Sequence, residues 1–163
     1  MGVHYAFEDF EQTTLNIMSN ENLYKIFSFE IKKELLLSNL KEFFFQAVSN
    51  SSWANEGYLV AFNVEKDGDL MREAGRLCNS FGIGIISLTS PPEQSEILFF
   101  AREREKLDWD TIDCLVEANK DFSSFIDGIK KDIDNKEARS KFDDVLTDEE
   151  KMMEYLKAHN IFI

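Results

Sequence analysis

The sequence predicts an α/β domain with a sheet covered by helices, and three observations carry that prediction. Short apolar stretches with strand periodicity recur through the first hundred residues. Stretches with helical spacing lie between them. After Lys106 the pattern becomes wholly helical. Strands alternating with helices imply βαβ units.

The elements follow in order. Residues 5–22 hold Phe7, Phe10, Leu15 and Ile17 among polar neighbours without a clear period, and read as an irregular lead-in. From Tyr24 to Lys32 the side chains alternate. Phe27, Phe29 and Ile31 fall on one face, and Ser28, Glu30 and Lys32 on the other, as in a strand with two distinct faces. Ser38 is placed to cap a helix through about Val48, with Leu40, Phe43, Phe44, Ala47 and Val48 at helical spacing. Tyr58–Phe62 is a short apolar run and reads as a buried strand.

Leu70, Met71, Ala74, Leu77 and Cys78 mark a second helix. Phe81-Gly82-Ile83-Gly84 ends it and leads into a strand over residues 85–88. Gly82 and Gly84 suit a tight turn and close backbone approach better than a phosphate loop, which needs a third glycine and a following helix. Pro91-Pro92 makes a turn before a strand over 97–101. Arg102, Arg104 and Lys106 alternate with Glu103 and Glu105, which predicts a salted edge strand, with contact to a DNA backbone as the alternative. Two helical stripes follow, Trp109–Val116 and Phe122–Ile133. Residues 134–146 read as a charged hinge, and Thr147 with Glu150 forms a capping box for a last helix. The predicted units are a domain over 1–133 and an appendage over 134–163.

Composition narrows the class. An apolar fraction of 44% with 15 Phe can fill a core, and no apolar run reaches the roughly 20 residues that span a bilayer. The N-terminus lacks the basic and apolar regions of a signal peptide, so the expected location is the cytoplasm, with no membrane partner. Cys78 and Cys114 read as two buried thiols, and His4 and His159 have no partner at metal-site spacing. A net charge of −13 argues against a protein that coats nucleic acid, because phosphate contacts dominate such affinity. Any DNA contact must come from a local patch.

The spacing with chemical content is Glu30-Ile31-Lys32. Residues two apart on a strand project from the same face, so a carboxylate and an ammonium converge. Phosphodiester hydrolysis uses that pairing. The carboxylate holds Mg²⁺, which polarises the phosphoryl oxygen and acidifies a bound water. The lysine balances charge on the phosphorane, and the Ile31 carbonyl offers another oxygen ligand. On an exposed strand the same spacing is ordinarily a solvated ion pair. Gln46, in the next helix, reads either as a supporting polar group or as a solvent-facing side chain. Trp53, in the following loop, reads either as a plug at the core edge or as a base-stacking group.

The segments Phe29–Leu35, Phe44–Tyr58 and Phe81–Ile86 resemble a family of bacterial proteins, some found near restriction–modification loci. In that family a HARE-type winged helix often precedes a restriction-endonuclease-like domain of the PD-(D/E)xK type. The resemblance spans roughly residues 1–133 and implies a mixed sheet flanked by helices. By that resemblance Glu30 is a metal ligand with Ile31, Lys32 is the catalytic lysine and Gln46 the supporting glutamine. Mg²⁺ is then the expected cofactor, DNA the expected substrate and a homodimer a possible assembly. The family places a Pro-Asp pair just before a segment similar to Met1-Gly2-Val3, and its aspartate is the second ligand. The resemblance therefore implies a domain truncated at its N-terminus, with Glu8 or Asp9 as conceivable substitutes and an inactive chain as one expectation. The alternative expectation is a non-catalytic interaction module on the same fold, beside a DNA-binding or restriction–modification partner.

Overall fold

The computed structural model describes residues 1–5, 24–89 and 92–141, together with 151, 154, 157 and 158. The lead-in, the carboxylates Glu8 and Asp9, and the capping box at Thr147 and Glu150 all lie outside the described residues.

Five strands form one mixed sheet in the order β1-β2-β3-β4-β5: Gly2–Tyr5, Tyr24–Leu35, Glu56–Val64, Gly84–Ser87 and Glu96–Phe99. The helices are α1 (Leu40–Asn50), α2 (Gly68–Phe81), α3 (Trp109–Ala118) and α4 (Lys120–Asn135). β1 runs antiparallel to β2, β2, β3 and β4 are mutually parallel, and β5 returns antiparallel to β4. The central strands are thus joined by two successive crossovers that step one strand in the same direction. Crossovers of one hand then set both helices on one face of the sheet.

The core agrees. Leu40, Phe44 and Ala47 of α1 and Leu70, Ala74, Leu77 and Cys78 of α2 share a cluster with Leu59, Ala61 and Ile85 of the sheet. A second cluster joins Ile26 of β2 and Trp53 and Ala54 to Ile112 of α3 and Phe122, Phe125 and Ile129 of α4. Trp53 meets the Phe122 ring edge-on at 4.9 Å and is 6% exposed, so it is the core plug and not a stacking platform.

Local chemistry fixes the helix ends. Asp67 caps α2 by accepting from Leu70 N–H at 2.7 Å, and Gly82 closes it at φ 77° while donating its N–H to Cys78 O. A Cβ at Gly84 would stand 2.3 Å from the Tyr58 ring, so only glycine fits there.

Several expectations are corrected. β1 is a strand that four residues were too few to announce. Helix α1 starts at Leu40 after Asn39, not at a Ser38 cap, because the Asn39 side chain is used in the preceding turn, accepting from Leu36 N–H at 2.8 Å. Residues 102–106 are not a strand. Instead Arg104 turns inward and donates to Ser51 O and Ala54 O, while Glu103 pairs with Lys25. Cys114 is exposed, and only Cys78 is buried. Helix α4 runs on to Asn135. Beyond that helix the chain folds back, and buried Asp132 accepts from the N–H groups of Arg139 and Ser140.

Candidate functional site

The candidate site is built where β2 passes beneath the C-terminal end of α1. Strand alternation puts Ser28, Glu30 and Lys32 on the face that carries α1, and Phe27, Phe29 and Ile31 on the other. Glu30 and Lys32 do converge, with Nζ 2.8 Å from Oε1 and both side chains about four-fifths covered (20% and 22% exposed). Lys32 also lies 4.8 Å above the centroid of the Phe43 ring, so the ammonium sits between a carboxylate and an aromatic face.

The second carboxylate oxygen is held by a residue that the sequence did not single out. Asn50, the last residue of α1, donates its amide to Glu30 Oε2 at 2.8 Å. Its own carbonyl is one of the orphan acceptors at a helix end, and the buried Ser28 hydroxyl donates to it at 2.9 Å. Strand and helix end are thereby tied at two points, one each side of Phe29. Gln46 lies one turn earlier and is half-buried. The hydrogen bonds that Glu30 receives among the described residues come from Lys32 and Asn50, not from Gln46. The signal for Asn50 was its i+4 spacing from Gln46 on one helix face.

Electrostatics follow from this geometry. Partial burial pushes the Glu30 carboxyl up. Hydrogen bonds from Lys32 and Asn50, with the lysine charge, outweigh that and hold it below its ordinary range. Glu30 is therefore ionised at neutral pH. The partial negative charge at the end of α1 adds to it, so the spot favours a cation. Among the described residues no group of three His, Cys, Asp or Glu is arranged to hold a metal. Glu30 is the carboxylate the site offers there, and the Ile31 side chain points to the opposite face and is 64% exposed.

Fold and site together define a mixed α/β domain with a five-stranded sheet flanked by helices and a carboxylate–ammonium pair on its second strand. No family model, no characterised protein and no solved structure matches the chain. No helix among the described residues is long and apolar enough to cross a membrane.

Proposed function

We propose that the chain is a nuclease-like domain of the restriction-endonuclease-like class, whose parent activity is Mg²⁺-dependent hydrolysis of DNA phosphodiesters. The observation that carries this reading is the convergence of Glu30 and Lys32 on the helix-bearing face of β2. Their setting adds support. An antiparallel partner precedes that strand, and a helix and a parallel strand follow it.

A Mg²⁺ ion commonly takes one or two carboxylates and completes its shell with water and phosphate oxygens. Glu30, with the Ile31 carbonyl, suits that donor chemistry as the one-carboxylate case. Bound there, the ion would supply Lewis acidity and an acidified water. Glu30 is kept ionised and aimed by Asn50. Lys32 places a positive charge where a phosphorane would develop negative charge, and Gln46 stands one helical turn before Asn50 on α1. The strand register bears on the second ligand. Gly2 stands opposite Phe27, so a position two residues upstream of Met1 on a continued β1 would face Glu30. That is close to where the family resemblance sets its aspartate.

The second reading, a non-catalytic interaction module, is favoured by the net charge of −13 and by the engagement of both Glu30 oxygens with Lys32 and Asn50. Mn²⁺ titration calorimetry and plasmid nicking separate the two. The expected result is weak Mn²⁺ binding that disappears in Glu30→Gln, with metal-dependent nicking lost in both Glu30→Gln and Lys32→Met. Metal binding indifferent to Glu30, or none, overturns the nuclease reading in favour of the module.

A further inference from the structure

We propose that Phe43 is the positioning residue for Lys32, its ring holding the ammonium at the site when Glu30 exchanges its bond to the lysine for a cation. The role rests on the nuclease reading, since it is there that Glu30 takes a cation. Two holds on one side chain carry the proposal. Lys32 Nζ lies 2.8 Å from Glu30 Oε1 and 4.8 Å from the centroid of the Phe43 ring.

The two holds respond differently to a divalent cation. Glu30 offers the anionic oxygen that Mg²⁺ prefers, so the ion pair is the bond that such a cation displaces. The Phe43 ring offers no oxygen ligand, and its negative face attracts the ammonium whether or not the carboxylate is engaged. The ring is also a fixed platform. Phe43 packs against the core cluster shared by α1, α2 and the sheet, and its N–H donates to Asn39 O at 3.1 Å in the first turn of α1. Neither contact involves Glu30. Phe43 and Asn50 stand seven residues apart on α1, two turns, and so share a face. Phe43 meets Lys32 there, and Asn50 donates to Glu30. Each member of the pair therefore has its own holder on the helix, independent of the other member. Without the ring, a lysine released by Glu30 would spread over the rotamers of its flexible four-carbon stem. With the ring, its charge stays on the helix-bearing face beside the carboxylate.

The test reads the proton shift of the Lys32 ε-methylene, which the ring current of Phe43 moves upfield, in variants shown to be folded by circular dichroism. In wild type the signal should lie upfield of the other lysines, and Phe43→Leu should return it to them. The deciding variant is Glu30→Ala, which withdraws the carboxylate and should leave the signal upfield until Phe43→Leu is added. In Mn²⁺-dependent plasmid nicking, Phe43→Leu should lower the rate at saturating Mn²⁺ by on the order of 5-fold, with Mn²⁺ affinity unchanged. Phe43→Tyr keeps the aromatic face and should restore the rate. A Glu30→Ala signal that joins the other lysines would overturn the proposal, as would a Phe43→Leu chain that nicks like wild type. The spectrum is recorded without metal or DNA. A wild type that nicks nothing while Glu30→Ala keeps its upfield signal therefore overturns the nuclease reading and not the hold of the ring.

Discussion

Replacing Asn55 with alanine should be among the most damaging polar substitutions in this fold. Asn55 is 7% exposed and joins three parts of the chain at the turn between α1 and β3. Its side-chain oxygen accepts from Ile26 N–H at 2.8 Å, and its amide donates to Arg104 O at 2.9 Å. Its own backbone N–H and carbonyl pair with the same two residues. No buried side-chain N or O atom among the described residues lacks a partner, so there is no spare group nearby to take over.

Alanine keeps the backbone bonds and strands one donor and one acceptor. A stranded buried polar group costs about 1–3 kcal/mol. Ile26 is 2% exposed and bears the full cost, whereas half-buried Arg104 admits water and bears less. Together the loss is about 2–4 kcal/mol, a large share of the ~5–15 kcal/mol that stabilises a domain. Urea unfolding followed by the fluorescence of Trp53, which lies two residues away in the core, reads it directly. Asn55→Asp keeps the acceptor but turns a carboxylate oxygen towards Arg104 O, so it should be destabilised as well. A loss below about 1 kcal/mol for Asn55→Ala, with an unchanged denaturant slope, would refute the reasoning.

Two further outcomes are expected. Asn50→Ala removes one of the hydrogen bonds that depress Glu30, so its carboxyl should titrate at higher pH in a carbon-detected NMR experiment. A depressed carboxyl stabilises the fold above its unfolded pKa and loses that contribution as pH falls through the folded value, so the variant should begin acid unfolding at higher pH than wild type. A Glu30 titration that does not move would show that Asn50 does not hold the carboxylate. For the thiols, burial pushes Cys78 up to about 12 while Cys114 is exposed, so an aromatic disulfide reagent should find one fast thiol in the folded chain and a second only on unfolding. Two fast thiols would show that α2 does not seal Cys78.

The parts of the fold that periodicity encodes were legible. The alternation from Phe27 to Lys32 and the helical spacing of Leu40, Phe44 and Ala47 each report burial along one element, and burial is what writes a pattern into sequence. What failed depended on partners elsewhere. β1 is held by pairing with Tyr24–Phe27 rather than by any pattern of its own. Residues 102–106 alternate in charge as an edge strand does. Yet Arg104 is drawn inward by the carbonyls of Ser51 and Ala54, which lie fifty residues back in the chain. Asn39 displaced Ser38 at the start of α1 for a similar reason, since its side chain serves Leu36 in the turn that sets the helix direction.

The candidate site divides along the same line. Glu30 and Lys32 were readable as a pair because two residues on one strand share a face whatever surrounds them. Asn50 was not, because its reach to Glu30 depends on where α1 stops relative to β2. At that point the Ser28 hydroxyl donates to Asn50 O, and Ser28 is two residues before Glu30. Ser28, Glu30 and Lys32 therefore act as one unit on the strand. The first fixes the helix end, the helix end fixes one oxygen of the carboxylate, and the lysine takes the other. A carboxylate restrained at both oxygens loses little further freedom when a cation approaches, yet must surrender at least one bond to receive it. That exchange is the point on which the nuclease and interaction-module readings divide. If Glu30 releases Lys32 for a metal, the lysine is left free to face phosphate. If it does not, the pair serves only to tie the strand to the helix end.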